Sequence, residues 1–198
     1  NNEDKCLGTA TQYLDYLGTS TMTPEQIKTA FYGLACSYGV YTSAEKTQVV
    51  VSGLGENMTE AVTLVESLLA DAQANPAALQ GLKADILKRR QNNKLNQSAN
   101  FNQLRAYNTY GPNSPSTNNL SNNEIKGLKD EALLDRIHAL NSYEHEILYY
   151  GPMTEKEIVA TIAELHNVPE KLTTIVKNDS FKEREKNKNE TKFSTKCP

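Results

Sequence analysis

The chain has 198 residues, and its 24 acidic and 21 basic side chains give a formal net charge of -3 at pH 7. This length corresponds to one ordinary domain or at most two small ones. A slightly acidic chain lacks the basic footprint of a nucleic-acid binder or of a polybasic membrane anchor. No run of eighteen apolar residues is present, which excludes a transmembrane span. We therefore predict no nucleic-acid partner and no membrane partner.

Cysteine and histidine are scarce, which limits the metal and redox chemistry that this chain can support. The three cysteines are far apart and form no Cys-x-x-Cys pair, so ordinary thiols are expected rather than a zinc ribbon or a disulfide framework. They are Cys6, Cys36 and Cys197, and the three histidines are His138, His145 and His166. The start of the sequence has neither the basic nor the apolar part of a signal peptide. The compartment stays open, with the bacterial periplasm as a working expectation.

The chain begins with two predicted helices. Apolar residues in 9–17 recur at helical spacing, and Gly18 is expected to cap that helix. Thr23 is a natural N-cap for the second helix, with Pro24 at the first helical position. Gln26 is placed to close a capping box with Thr23.

A change to β-branched and aromatic residues follows. Residues 36–43 and 47–52 predict two antiparallel strands joined by a short loop. After them, Asn57 or Thr59 is expected to cap an apolar helix.

The middle of the chain predicts two consecutive helices and a break. Asn75 and Pro76 open a helix over 77–95, and a polar helix is expected to continue through Tyr107. Residues 110–115 contain Gly-Pro and a second proline, which end it.

The last third predicts two further capping boxes and one strand. Residues 121–124 and 154–157 each follow the Ser/Thr-x-x-Glu pattern that starts a helix. Asp130 is expected to cap the helix between them. The apolar and aromatic residues 146–150 predict a strand that ends at a Gly-Pro pair.

These elements predict an α+β fold with a mostly antiparallel sheet and helices packed on one face. Two or three strands make a thin sheet for so many helices, so we expect an excised fragment of a larger fold. From residue 177 the chain has almost no apolar residues and cannot bury enough surface to fold. We therefore divide it into a domain over 1–176 and a charged linker or tail over 177–198.

The segment 141–145, Asn-Ser-Tyr-Glu-His, matches the end of the zinc-binding pattern His-x-x-Glu-His. Asn141 replaces the first histidine, and the segment lies where a helix is expected to give way to a strand. Residues four apart would then not share a face, so we do not predict zinc ligation there. His138 and His145 fall on different predicted elements and are interpreted as surface or packing residues.

Other groups have a plain structural interpretation beside a functional one. An acidic cluster at a helix start is explained by the helix dipole, and a basic group on the 77–95 helix by a solvated face rather than a nucleic-acid patch. Four tyrosines could line a peptide site, although simple packing is the ordinary explanation. The acidic cluster is Asp130, Glu131 and Asp135, the basic group is Lys83, Lys88, Arg89 and Arg90, and the tyrosines are Tyr107, Tyr110, Tyr149 and Tyr150.

The order of these elements resembles the pitrilysin/insulinase (M16) family of zinc metallopeptidases over roughly residues 7–172. Gly8-Thr9-Ala10 opens a helix that ends in Gly-Thr, as the zinc-binding helix of that family does. A strand pair ending in Ser52-Gly53-Leu54 and a long apolar helix follow in the family order. The resemblance implies an M16 half-domain of the LuxS/metallopeptidase-like type.

The expected activity depends on the residues that replace the family's zinc ligands and general base. The resemblance places Thr11 at the first zinc histidine, Leu14 at the general-base glutamate and Asp15 at the second histidine. On the distal helix, Asp85 is the carboxylate near the expected third ligand. Because leucine cannot move a proton and two of the three ligands are missing, we predict no catalytic, metal-ligating or cofactor-binding residue in this chain.

The resemblance therefore implies a non-catalytic half-domain. Its expected partners are a catalytic M16 half-domain, in the same chain or in a partner subunit, and a peptide substrate; zinc would belong to that catalytic half. The expected role is to form and close a peptide-binding chamber, with strand addition as the binding mode of the family. Two alternatives remain: an inactive M16-fold scaffold without a proteolytic role, and an autonomous metallohydrolase using Asp15, Asp85 and a histidine.

Overall fold

The structure is a computed structural model that describes residues 4–43, 46–175 and 181–184. Within those ranges the chain forms eight α-helices and one pair of antiparallel strands. The helices are α1 (Leu7–Leu14), α2 (Pro24–Gly33), α3 (Met58–Asp71), α4 (Pro76–Leu95), α5 (Gln97–Tyr110), α6 (Asn122–Gly127), α7 (Asp130–His138) and α8 (Glu155–Leu165). The strands are β1 (Cys36–Thr42) and β2 (Thr47–Gly53), paired from Cys36 opposite Gly53 to Thr42 opposite Thr47.

The predicted side-chain caps at Thr23, Asn75, Ser121 and Thr154 are confirmed, whereas Asn57 lies at the N-cap of α3 without a side-chain capping bond. Thr23, Ser121 and Thr154 each accept a hydrogen bond from the backbone N–H three residues on, and each capping box is complete. Asn75 caps α4 by accepting from the N–H of Ala78, with proline at the first helical position. These local bonds satisfy helix N–H groups that have no partner inside the helix.

Two predicted boundaries are shifted. Helix α1 ends at Leu14 rather than at residue 17, and Gly18 lies outside it. A Cβ at Gly18 would collide with the carbonyl of Met22, so this glycine permits a close approach of the chain rather than capping a helix. Asp130 is the first residue of α7, and the N-cap position belongs to Lys129, which makes no side-chain capping bond.

The core lies between α1, α3, α4 and α7, with β1 packed on α1 and β2 packed on α3. The apolar stripes predicted for these helices point into it. Tyr13, Leu14, Leu68, Leu133 and Ile137 are almost completely withdrawn from solvent. By contrast, α5 and α8 contribute no buried residue.

The predicted strand over 146–150 is wrong. Residues 144–150 have no regular secondary structure, and Tyr143 forms a lone parallel bridge with Thr173. Leu148 is 88% exposed and Tyr150 is fully exposed. A strand needs a partner strand, and within the described residues the sheet holds only β1 and β2, neither of which pairs with this segment. The α+β class itself is confirmed.

The predicted tail over 177–198 lies almost entirely outside the described residues. In the described segment 181–184, the backbone N–H of Arg184 donates to the carbonyl of Thr109 at 2.8 Å. Its guanidinium lies 5.1 Å from the centre of the Tyr107 ring. The division at residue 176 stays a prediction. In the ranges that the structure describes, no helix has the length and apolarity needed to cross a bilayer.

Candidate functional site

A groove between α1 and α4 contains two of the four positions at which the family pattern places its zinc site. Its volume is about 520 Å³. Side chains from the end of α1 form one wall and side chains from the middle of α4 form the other. The lining residues are Gln12, Asp15, Tyr16, Leu82, Asp85, Lys88, Arg89 and Asn92.

Two of the four positions taken from the family pattern are absent from this lining because they are buried. Thr11 is 4% exposed, and its hydroxyl donates to the carbonyl of Gly8 at 3.3 Å and accepts from the hydroxyl of Thr42 at 3.2 Å. Leu14 is 1% exposed and belongs to the apolar core. Neither side chain can act on a ligand in the groove.

The other two positions do meet in the groove. Asp15 and Asp85 both line it, as the superposition of the family pattern predicted. The groove walls withdraw water from the Asp15 carboxylate, which raises its pKa, while the nearby charge of Lys28 opposes that rise. Two carboxylates without an imidazole do not make the donor set of a hydrolytic zinc ion, and no described histidine lines the groove. The residues present therefore do not fit the family's zinc.

Two basic side chains, Lys88 and Arg89, line the groove together with these two carboxylates. Arg89 donates to the side-chain carbonyl of Gln12 at 3.0 Å, linking the two walls, and Lys88 lies on the same wall as Arg89. A hydrogen-bonding groove of mixed charge can hold a polar ligand.

The residues of the 141–145 motif are not aligned on a helix. Asn141 lies in a single 3-10 turn and donates to Glu66 at 2.7 Å, whereas His145 follows in irregular chain. Glu144 accepts from Thr174 at 3.2 Å. The side chains of this partial match to His-x-x-Glu-His thus have separate partners, in agreement with the prediction that they do not share a helix face.

The structure reveals a different arrangement of histidines that the sequence analysis missed. Nε2 of His145 lies 2.8 Å from Nε2 of His166, and Nδ1 of His166 lies 2.7 Å from Glu66. His138 has its own contact, with Nε2 3.2 Å from the carbonyl of Ala72. No local sequence signal could have found this group. His145 and His166 are 21 residues apart, and Glu66 lies 100 residues before His166.

Asp130 of the acidic group and Lys83 of the basic group have structural partners. Asp130 accepts a hydrogen bond from the hydroxyl of Tyr13, which fixes α7 to α1. Lys83 is 8% exposed and is therefore not part of a solvated face; it donates to the carbonyl of Leu128 at 2.6 Å.

The four tyrosines singled out in the sequence lie in two unlike settings. Tyr107 and Tyr110 belong to α5, and Tyr107 packs against Arg184. Tyr149 accepts from the N–H of Met153 at 3.2 Å, whereas Tyr150 makes full contact with solvent.

Comparison with known proteins identifies structures that share the fold of this chain. No protein-family model matches the sequence, and no curated protein matches it. Solved protease structures do share its fold, and an M16 peptidase domain is among them.

Three of these structures define the likeness. The ferredoxin protease FusC, solved as a mutant in complex with Arabidopsis ferredoxin, matches with a TM-score of 0.66 and 14% identity over 88% of this chain and 19% of its own. The periplasmic protease PqqL from Escherichia coli matches with a TM-score of 0.66 and 14% identity over 91% of this chain and 20% of its own. The inactive domain of peptidase M16 from Pseudomonas fluorescens matches with a TM-score of 0.53 and 18% identity over 66% of this chain and 32% of its own.

At these identities the likeness is one of fold. It confirms the predicted M16-type half-domain architecture. The chain spans about a fifth of the length of FusC and of PqqL, so it corresponds to a part of those larger proteins.

Proposed function

We propose that this chain is a non-catalytic half-domain of an M16-type zinc metalloendopeptidase, and that it forms and closes a peptide-binding chamber with a catalytic half. The catalytic half, in the same polypeptide or in a partner subunit, would hold the zinc ion. This chain would hold peptide, exclude water and limit the size of the substrate. The periplasm is the proposed compartment, by analogy with PqqL.

The proposal rests on where the structure places the four residues that occupy the family's zinc-binding and catalytic positions. Thr11 and Leu14 are buried in the core, and only Asp15 and Asp85 reach the groove. A polar groove without the hydrolytic groups is suited to binding a polypeptide that another domain cuts.

Exposed apolar surface supports pairing with a second domain. Val159 on α8 is 62% exposed, and Leu148 and Tyr150 in the preceding segment are more exposed still. A shallow depression of about 500 Å³ at the start of α8 includes Pro152 and Met153. Apolar surface of this kind marks interaction sites more often than isolated exposed residues do.

The test measures peptide cleavage by this chain, by a catalytic half carrying His-x-x-Glu-His, and by the two together, each with zinc. The parent gene or its neighbour supplies the catalytic half. We expect no turnover by this chain alone and at least a tenfold gain in kcat/KM when both are present. A double substitution Asp15→Ala and Asp85→Ala should reduce that gain through KM, with kcat nearly unchanged.

The alternatives predict other outcomes. A scaffold with no proteolytic role would bind the catalytic half without changing its kcat/KM, and the absence of any His-x-x-Glu-His sequence in the parent gene or its neighbours would favour it. An autonomous metallohydrolase would turn over peptide alone and lose that turnover with Asp15→Ala. Either result contradicts the proposed role.

A further inference from the structure

Two histidines and a glutamate form a connected group outside the α1–α4 groove. His166 ends α8 and Glu66 lies on α3, and their side chains are only 15% and 19% exposed. His145 lies in the irregular segment before α8 and is exposed. The two imidazole rings stand nearly perpendicular, at 87°, with their centres 4.9 Å apart.

The outer nitrogen of each ring faces an oxygen atom. Nδ1 of His166 lies 2.7 Å from a carboxylate oxygen of Glu66, and Nδ1 of His145 lies 2.6 Å from the backbone carbonyl of Tyr143. A carbonyl and an ionised carboxylate only accept hydrogen bonds, so each Nδ1 carries the proton of its ring. Asn141 holds the other oxygen of Glu66, at 2.7 Å, and so fixes the carboxylate.

The inner nitrogens must then share either a proton or a metal ion. In a neutral ring with a protonated Nδ1, Nε2 carries a lone pair, and here two such nitrogens lie 2.8 Å apart. Two lone pairs repel at this distance unless a positive charge lies between them. Histidines that bind metal ions in proteins commonly have the same arrangement: the Nδ1–H donates to an oxygen acceptor, and Nε2 binds the ion.

We propose that His145 and His166 form a site for a divalent transition-metal ion, with Nε2 of each ring as ligand and Glu66 as the residue that positions His166. Imidazole ligands suit zinc, nickel and copper, and water would complete the coordination. Glu144 is not assigned as a ligand, because its Oε1 accepts from Thr174. No group of three or more His, Cys, Asp or Glu side chains able to hold a metal occurs in the described part of the chain, so the site has two protein ligands.

The distance between the rings is compatible with this assignment after a small movement. Zinc–nitrogen bonds of about 2.0–2.1 Å in tetrahedral geometry put two ligand nitrogens about 3.3 Å apart, roughly 0.5 Å more than the observed 2.8 Å. His166 is held between α8 and Glu66, whereas His145 lies in exposed irregular chain. The required movement therefore falls on His145.

The site differs from the hydrolytic zinc of the M16 pattern and does not depend on the proposed function. It was not predicted from the sequence, which places the two histidines 21 residues apart on separate elements. Bound metal would fasten the segment before α8 to the end of α8, and through Glu66 to α3.

The experiment is a calorimetric titration of the full chain with zinc chloride at pH 7.5 in a buffer that does not chelate zinc. We expect saturable binding of one ion that weakens at least tenfold in His145→Gln and in His166→Gln, while the control His138→Gln leaves it unchanged. Glu66→Gln should weaken binding by about tenfold to a hundredfold, the range seen when a ligand's supporting residue is lost. Long-range imidazole NMR should show both rings protonated at Nδ1 and shifted at Nε2 when zinc is added.

Three results would overturn the proposal. The first is no saturable binding, with NMR showing a proton shared between the two Nε2 atoms that zinc does not displace. The second is zinc binding of equal strength in His145→Gln and His138→Gln, which would assign it to the thiols. The third is binding that survives His166→Gln in a chain whose circular dichroism is unchanged.

Discussion

Tyr13 shows how one side chain can join three helices. It is fully buried on α1, its hydroxyl donates to Asp130 at the start of α7, and it accepts from the N–H of Asn75, the N-cap of α4, at 2.8 Å. Replacing Tyr13 with phenylalanine keeps the ring but leaves both partners unsatisfied. We expect Tyr13→Phe to lower the free energy of unfolding by about 1–3 kcal/mol, measured by urea denaturation.

The pH dependence of that difference tests the hydrogen bond. Burial, and then the hydrogen bond to Asp130, raise the pKa of Tyr13 above its usual value. The folded state therefore keeps this proton after the unfolded chain has lost it near pH 10, so the stability that Tyr13 contributes is complete below pH 10 and falls as pH rises above it. The gap between the native chain and Tyr13→Phe should narrow above about pH 10.

Two comparisons control this prediction. Tyr38, whose pKa burial raises to about 12, is present in both proteins, so its titration cancels. Tyr32 is 86% exposed, and Tyr32→Phe should change stability by less than about 0.5 kcal/mol. A gap that stays constant to pH 11 would show that folding does not raise the pKa of Tyr13, and would contradict the role given to its buried hydrogen bond.

At the level of elements, Lys83 links α4 to the end of α6. Its ammonium donates to the carbonyls of Leu128 at 2.6 Å and Lys126 at 3.3 Å, both at the C-terminus of α6. These carbonyls have no partner within the helix, and a cation there also complements the helix dipole. We expect Lys83→Met, which keeps the length of the stem, to destabilise the fold by about 1–3 kcal/mol in urea.

The same helix offers a matched control for Lys83. Lys88 lies on the same helix and is exposed at the edge of the groove. Lys88→Met should therefore have an effect below about 0.5 kcal/mol. Equal effects of the two substitutions would mean that general charge on α4, and not the cap on α6, accounts for the loss.

The elements that the sequence predicted well are those fixed by neighbouring residues. The three capping boxes and the strand pair depend on side chains within a few positions of one another, and all were confirmed. The strand expected over 146–150 was wrong because its formation depends on a sheet edge elsewhere in the chain. Lys83 and the His145–His166 pair were missed for the same reason, since their partners are far away in sequence.

The candidate site was predictable to a similar extent. The resemblance to the M16 pattern set Asp15 and Asp85 at the positions of zinc ligands, and the structure shows that both line one groove. The burial of Thr11 and the link between Arg89 and Gln12 depend on how the helices pack, which a linear pattern does not contain.

For the whole molecule, the distribution of buried residues predicts an uneven stability. Helix α3 places Ala61, Val65, Leu68 and Leu69 in the core, whereas neither α5 nor α8 has a buried residue. Local opening requires less free energy where few apolar contacts are broken. We expect amide hydrogen exchange to give α3 protection at least tenfold greater than that of α5 or α8.

The proposed pairing with a catalytic half adds a second expectation for the same measurement. If that half covers the apolar surface of α8 and of the segment before it, amide exchange in α8 should slow by at least threefold when the two proteins are mixed. Helix α3, already protected by the core, should not change and serves as the internal control. Slowing in α3 and α8 alike would indicate general stabilisation, and no slowing in α8 would place the partner on another face or contradict the pairing.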